Sequence, residues 1–224
     1  MTAVIRIDHV LLGSRSIEPL RDRLRDEFGF GICDGSPNPD GTASWIVPMS
    51  TDEVQYLELL VAHDENLLAG TEFGRLFLER TADGPTLLNW AALVDDIEQV
   101  AARITATGAS ADLLTGESVR ADGGVVPWAE AGFATSWSMP ERPFFLAYGD
   151  MATRLERVPA DLDAAAHDHV PTGITGIRVR TADTAEYRAW MGGETPGIEI
   201  VEDPIGGIDE VRLETAEGQV ALRW

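Results

Sequence analysis

An internal repeat constrains the fold of this chain more than any other feature of its sequence. In the first copy, a short apolar run around Val10 precedes three apolar residues at helical spacing, and Gly29 ends the pattern. The same order returns 80 positions later. The corresponding helix residues are Ile17 and Ile97, Leu20 and Val100, and Leu24 and Ile104. Each copy therefore predicts a strand followed by a helix.

Three further strand segments follow each helix, separated by turn residues. In the first copy they lie at residues 30–35, 43–49 and 54–62, and in the second at 111–120, 124–132 and 143–150. Both copies place an Asp-Gly turn shortly before a tryptophan, Trp45 in one and Trp128 in the other. A third, weaker copy begins at Gly173 with a strand, then a helix capped by Asp183, then three strand segments. The repeating unit is thus strand-helix-strand-strand-strand, or βαβββ.

These units predict an α+β fold with domain boundaries that follow the repeats. Residues 1–150 form one domain of two paired modules, about 4–63 and 86–150, joined by a helical connector. Residues 151–172, rich in Ala, Asp and Pro, are predicted to be a linker, and residues 173–224 are the third βαβββ-like unit. That unit needs a partner for its sheet. The partner is either the same unit of a second chain, which gives a homodimer, or the side of the paired modules.

Charge and composition exclude several classes of partner. The chain carries 38 acidic and 17 basic residues, and its net charge of -21 would repel nucleic acid and anionic membrane surfaces. No apolar run reaches the length of a membrane span, and the N-terminus lacks a signal-peptide pattern. The single cysteine, Cys33, cannot form an internal disulfide and is read as a small core residue. We therefore expect a cytoplasmic protein whose partner is a small molecule.

A tandem pair of βαβββ units resembles the vicinal-oxygen-chelate superfamily, which includes glyoxalase I, extradiol dioxygenases and bleomycin-resistance proteins. The resemblance covers nearly the whole chain, and the branch that it matches best is that of the glyoxalase-like domains. It is carried by residues 7–10, Gly41-Thr42, Pro48, residues 56–59, Trp128 and residues 143–145. The resemblance implies that the strands of the two modules curl into an open, mixed-sheet cup with a ligand or metal ion inside.

Metal-dependent members of this superfamily take four ligands, from the first and last strand of each module. Position by position, the first module supplies His9 and Glu58, and the second supplies Asn89 and Ala147. His9 and Glu58 suit one divalent ion of Zn, Fe, Mn, Ni or Co, and Asn89 could add a weak third bond. Alanine cannot bind a metal, so the alternative is a protein with no metal. His9 would then be a half-buried strand histidine, and Glu58 would need an arginine or a ligand as its partner.

Several other residues are candidates for the wall of the cup. Large rings are favoured in pockets that bind flat or apolar molecules, which makes Trp45, Trp128 and Tyr148 predicted ligand-binding residues. Asn89 and Arg120 are the polar residues predicted to bind the ligand. Strand alternation places Asn89 and Trp90 on opposite faces, so only one of them can point into the cup. His167, Asp168 and His169 could chelate a metal by composition alone, but a solvated loop is the simpler interpretation.

Two functions remain open from the sequence. In the first, the protein is an enzyme of the lyase, isomerase or dioxygenase type, with Glu58 as catalytic base or His9 and Glu58 as metal ligands. In the second, it is a metal-free protein that binds or sequesters a small organic molecule. The substitutions at Asn89 and Ala147 argue against glyoxalase I activity itself.

Overall fold

The first module has the helix and the paired strands that the repeat predicts. A computed structural model describes residues 5–119, 124–192 and 195–224. Pro19 stands in the first turn of the module's helix, Leu20 and Leu24 form its buried face, and Gly29 ends it in a left-handed conformation, with φ 70°. The elements are β1 (Arg6–Ser14), α1 (Glu18–Phe28), β2 (Ser36–Pro37), β3 (Thr42–Pro48) and β4 (Tyr56–Ala62).

The strand predicted at residues 30–35 is wrong, because pairing with β3 begins only at Ser36. Part of the backbone before Ser36 is hydrogen-bonded to residues 167–169. Asp168 and His169 donate their backbone N–H groups to the Gly29 carbonyl, and the Gly31 N–H donates to Nδ1 of His167, at 3.0 Å. These bonds hold the start of the segment against a later part of the chain, and a single bond from the Cys33 N–H to the Ile46 carbonyl joins it to β3 without forming a strand pair.

The connector and the second module follow in the same order as the first. The connector holds α2 (Glu65–Ala69) and α3 (Glu72–Arg80). The second module consists of β5 (Thr86–Leu93), α4 (Ile97–Ala106), β6 (Leu114–Val119), β7 (Val125–Ala131), α5 (Phe133–Ser138) and β8 (Phe144–Tyr148). Helix α5 has no counterpart between the last two strands of the first module.

The two modules share one curled, eight-stranded sheet in the order β2-β3-β4-β1-β5-β8-β7-β6. Strand β1 pairs in parallel with β4 and antiparallel with β5, which joins the modules edge to edge. The outer face of the sheet packs against α1 and α4, and the inner face packs against α3 and α5. Val10, Leu24 and Ile104 belong to the outer core, and Leu11, Phe77 and Trp137 to the inner one. The predicted α+β fold with a curled sheet is confirmed.

Residues 151–172, the predicted linker, contain two short helices, α6 (Met151–Leu155) and α7 (Val158–Ala165). Asp150 caps α6 by accepting from the Thr153 N–H, and Arg154 is buried. The segment therefore contributes to the core. Within the described residues, no helix has the length and apolar character needed to cross a membrane.

The third unit repeats the order of elements but not the order of strands. It holds β9 (Pro171–Thr181), α8 (Thr184–Met191), β10 (Ile198–Glu202), β11 (Gly207–Thr215) and β12 (Gly218–Leu222), arranged as β10-β9-β11-β12. The first strand of this unit pairs in parallel with the second strand, whereas in the first module β1 pairs in parallel with the last.

The third unit packs on the outer face of the large sheet. Ile177 and Val211 are fully buried in the same core as Val10 and Trp90. The Trp190 indole donates to the Pro143 carbonyl at 2.8 Å, and Arg103 donates to the Trp190 carbonyl at 3.0 Å. The unit therefore lies on the outer side of the paired modules, which is one of the two placements expected for it.

Because the third unit shares that core, its buried side chains should stabilise the whole chain. We expect Leu213→Ala, at a fully buried position, to lower the free energy of unfolding by about 2–5 kcal/mol. Ile205→Ala removes a similar side chain that is 67% exposed and should change it by less than about 0.5 kcal/mol. Urea denaturation followed by circular dichroism measures both. Equal effects of the two changes would contradict the shared core.

Candidate functional site

A cavity of about 600 Å³ opens on the inner face of the large sheet, between the two modules. Strand alternation explains its wall, because His9 and Leu11 of β1 face inward while Val10 and Leu12 face the outer core. The wall contains two kinds of group. The titratable ones are His9, Asp40, Glu58 and Glu130, and the aromatic ones are Phe73, Trp128, Phe133, Phe144 and Tyr148.

A β-bulge at Asp8 brings two neighbouring side chains together. Pairing between β1 and β5 passes from Ile7 with Ala92 to His9 with Ala91, so Asp8 is an extra residue in the ladder. The bulge interrupts the usual alternation of faces, and Asp8 Oδ1 lies 2.7 Å from His9 Nδ1. Asp8 is completely buried.

Arg154 of α6 neutralises Asp8. Its two terminal nitrogens donate to the two carboxylate oxygens at 2.7 and 2.8 Å, and Arg154 itself is only 4% exposed. The guanidinium carbon also lies 3.7 Å from the centre of the Tyr148 ring. Burial alone would raise the pKa of Asp8, but the hydrogen bond from His9 and the charge of Arg154 hold it below its usual value. Asp8 is therefore a carboxylate.

The ionised Asp8 fixes the orientation of His9. A carboxylate can only accept, so His9 Nδ1 carries the proton and donates it to Asp8, which leaves Nε2 for the cavity. The ring stacks on Tyr56 at 4.6 Å and meets the edge of Phe144 at 5.7 Å. Nε2 faces Glu58, whose Oε2 lies 3.4 Å away. His9 thus presents one defined nitrogen to whatever occupies the cavity.

Two carboxylates in the wall have altered acidity. Burial raises the pKa of Glu58, and nearby His9 offsets part of that rise. Burial also raises the pKa of Glu130 on β7, to about 7, with a further contribution from the charge of Glu58. Sequence reasoning missed Glu130. The signal was there, since Glu130 stands two residues after Trp128 in a strand and so shares its face.

The structure places the sequence-predicted binding residues in different surroundings. Trp128 and Tyr148 line the cavity together with His9 and Glu58. Trp45 instead packs on Gly35, where an added Cβ would lie 2.2 Å from its ring. Asn89 is buried on the inner face beneath α5, where its Nδ2 donates to the Ser136 hydroxyl at 2.7 Å. Arg120 lies outside the described residues.

The position equivalent to Glu58 in the second module is Phe144. Leu11 pairs with Glu58 in the first module, and Ala91, which stands 80 positions after Leu11, pairs with Phe144 in the second. The assignment of Ala147 to this position is therefore wrong. The conclusion that the second module supplies no metal ligand at this position still holds, because a phenyl ring binds a metal no better than a methyl group does.

The His167–His169 segment does not form a chelating pair. His167 accepts from the Gly31 backbone, whereas His169 Nδ1 lies 3.2 Å from Glu217. Over the described part of the chain, no three His, Cys, Asp or Glu side chains are grouped as a metal site would need. Cys33 is a core residue whose thiol donates to the Asp161 carbonyl, and burial raises its pKa to about 11.

Comparison with known proteins agrees with this architecture. A family model described as a glyoxalase-like domain matches residues 7–193. The chain belongs to the glyoxalase-like domain family. No curated protein matches its sequence.

Solved structures are similar to this glyoxalase-like chain at low identity. A hypothetical protein from Staphylococcus aureus is 12% identical, with a TM-score of 0.67 over 96% of this chain and 93% of that one. Methylmalonyl-CoA epimerase from Streptomyces coelicolor, in complex with 2-nitronate-propionyl-CoA, is 18% identical over 64% of this chain and 95% of its own, with a TM-score of 0.43. The epimerase from Mycobacterium tuberculosis is 14% identical over 63% and 85%, with a TM-score of 0.40. The Staphylococcus protein covers the third unit as well as the paired modules.

The Asp8–Arg154 pair should be essential to the fold as well as to the site. We expect Asp8→Asn to lower the free energy of unfolding by about 3–5 kcal/mol, because it leaves a buried guanidinium without its counter-charge. Asp95→Asn, which breaks an exposed pair with Arg6, should cost less than about 1 kcal/mol. Urea denaturation at neutral pH measures both. A loss below 1 kcal/mol for Asp8→Asn would contradict the description of this pair.

Proposed function

We propose that this glyoxalase-like protein is an acid–base enzyme that moves a proton between neighbouring atoms of a small organic molecule. The observation that carries the proposal is the arrangement of His9 and Glu58. Nε2 of an imidazole oriented by Asp8 faces a carboxylate with a raised pKa, at 3.4 Å, in the wall of a cavity. A base and an acid that reach the same small volume are what a proton-transfer site requires.

Glu58 is the proposed base. Its side chain is 23% exposed at the cavity wall, so it can reach a bound molecule, and its raised pKa makes it a stronger base than a surface carboxylate. It would remove a proton from a carbon next to a carbonyl group. The electron pair of that C–H bond forms a carbon–carbon double bond, and the carbonyl electrons move onto oxygen.

His9 is the proposed acid. When Nε2 also carries a proton, the imidazolium is stabilised by Asp8 on its other nitrogen, and it donates the Nε2 proton to the developing oxyanion. The neutral ring then accepts a proton from the neighbouring hydroxyl, whose oxygen becomes the new carbonyl, and protonated Glu58 returns its proton to the carbon that first carried the carbonyl oxygen, so both side chains regain their starting protonation. Arg154 and Asp8 do not touch the reacting atoms, and their role is to position His9 and fix its tautomer.

The metal ion predicted from the family resemblance would bind at the same pair. Metal bonds of roughly 2.0–2.2 Å at a tetrahedral angle put two donors about 3.4 Å apart, which is the separation of His9 and Glu58. The pair therefore suits one divalent ion. A catalytic site needs a third protein ligand, and the described residues supply none, since Asn89 is bound to Ser136. The donor set falls short, and no proposed step depends on a metal.

Binding without catalysis is the second candidate function. The observation in its favour is the predominance of aromatic and aliphatic side chains in the cavity wall, which suits a sequestered apolar molecule. In that case His9 and Glu58 would contribute hydrogen bonds to the ligand but no proton transfer.

Deuterium exchange separates the two functions. We expect the protein to catalyse exchange in D2O next to the carbonyl of compounds from a panel of small hydroxyketones and hydroxyaldehydes, followed by proton NMR. Glu58→Gln should reduce the rate by roughly 100-fold or more, because the amide is not a base. The matched control is Glu117→Gln, an exposed change on strand β6 at the far edge of the sheet, which should leave the rate unchanged. Tight binding of the panel compounds without exchange would favour sequestration.

The rate of exchange should also decrease as the pH is lowered. Because the pKa of Glu58 is raised, the carboxylate takes up its proton at a higher pH than a surface glutamate does. We expect the rate to fall on acidification while the pH is still in the range in which an ordinary surface carboxylate is ionised. A rate that stays constant over this range would argue against Glu58 as the base.

Removal of metal ions tests the remaining alternative. We expect the rate of exchange to survive prolonged dialysis against EDTA, since the proposed steps use only protein side chains. Loss of exchange on dialysis, with recovery after addition of Zn, Mn, Ni, Co or Fe, would show instead that His9 and Glu58 act as metal ligands.

A further inference from the structure

The cavity wall has an unbalanced charge. Its described lining includes three carboxylates, Asp40, Glu58 and Glu130, and no arginine. The nearest buried guanidinium, that of Arg154, is bound to Asp8 through both of its terminal nitrogens. It therefore neutralises a carboxylate behind His9 and none in the wall. There, Asp40 accepts from the Thr42 N–H and hydroxyl, and Glu58 faces His9.

Glu130 shows the imbalance most clearly. It is partly buried on β7 and has neither a hydrogen bond nor an ion pair with any described residue. Among the described residues, the charges that act on it come from His9 of β1 and Glu58 of β4. A carboxylate in such surroundings is costly to ionise unless a positive charge or a donor comes from outside the protein.

His9 is a second, independent indication of a missing donor. The ring is only 3% exposed, and its Nδ1 proton is committed to Asp8. In this tautomer Nε2 is an acceptor, and at 3.4 Å it faces Glu58 Oε2, which is a second acceptor when the carboxylate is ionised; no donor from the described residues lies between them. A ligand N–H group placed between these two atoms would satisfy both.

The rest of the wall suits an organic cation rather than a bare ion. Trp128, Phe133, Phe144 and Tyr148 line the cavity, and aromatic faces attract ammonium groups. A volume of about 600 Å³ far exceeds what a metal ion occupies, and the described residues contain no three-ligand cluster. The net charge of -21 also attracts cations from solution.

We infer that the cavity selects a small organic molecule carrying an ammonium-type cation, which Glu130 and Glu58 bind through their carboxylates, over neutral and anionic molecules. This inference rests on the proposed function only in that it concerns the same site. It makes Glu130 a specificity-determining residue, and leaves proton transfer to Glu58 and His9.

Three probes of similar size but different charge test the inference. Benzylammonium, benzyl alcohol and benzoate share one aromatic ring, and isothermal titration calorimetry at pH 8 measures their binding to the full chain. We expect benzylammonium to bind roughly tenfold more tightly than benzyl alcohol, and benzoate more weakly than either. Glu130→Gln should reduce the affinity for benzylammonium by roughly tenfold and leave that for benzyl alcohol unchanged. Glu117→Gln, the matched control on β6, should change neither.

The pH dependence of binding is a further readout. Ammonium binding favours ionised Glu130, whose pKa is about 7, so affinity for benzylammonium should rise by roughly tenfold from pH 6 to pH 8. Asp40, Glu58 and His9 are the other titratable groups in the wall. Glu130→Gln should remove most of this rise, while a purely structural role for Glu130 would leave it intact.

Several outcomes would overturn the inference. Benzoate that binds as tightly as benzylammonium would do so, as would failure of all three probes to bind at millimolar concentration. Binding of Zn²⁺ or Mn²⁺ but not of benzylammonium would show that the carboxylates serve an inorganic ion. None of these results depends on the exchange assay. An enzyme that catalyses exchange but prefers anionic probes would contradict this inference without contradicting the proposed function.

Discussion

The ion pair between Asp8 and Arg154 connects parts of this protein that lie far apart along the chain. Asp8 lies on the first strand of the first module, and Arg154 lies 146 residues later in helix α6. Both are almost completely buried, so the pair must be complete to be tolerated, since either charge alone would be left in the core. The position of α6, the orientation of His9 and the packing of Tyr148 all follow from this contact.

Duplication has produced two modules with different chemistry. The strands of the two modules pair at equivalent positions of the backbone, and β1 joins β5 in antiparallel orientation. Their side chains differ, because the first module contributes His9 and Glu58 where the second contributes Asn89 and Phe144. Helix α5 then covers Asn89 and fills part of the concave face with Trp137. The cavity is consequently polar along one module and mostly aromatic along the other, with Glu130 as the charged exception.

Periodic patterns explain which parts of this structure the sequence could predict. Helices α1 and α4 and the strands around them follow from apolar spacing, and the resemblance singled out His9 and Glu58, which do share one cavity wall. The strand expected at residues 30–35 failed because its backbone bonds to residues 167–169, a contact that no local pattern reports. Arg154 was missed because its short helix resembles a linker in composition, and because its contact with Asp8 leaves no local pattern in the sequence. Asp8 was missed because strand alternation assigns it to the other face, and only the bulge corrects this.

That bulge has a consequence for how the site can be inherited. A histidine and the carboxylate that orients it are usually brought together from distant parts of a chain, and closing the intervening loop carries an entropic cost that grows with its length. Here the two are consecutive residues of one strand, so their meeting requires only a local change in backbone conformation. The contact therefore forms with the bulge of β1 against β5, while Arg154 keeps Asp8 ionised, and recombination of the modules would carry His9 and Asp8 together.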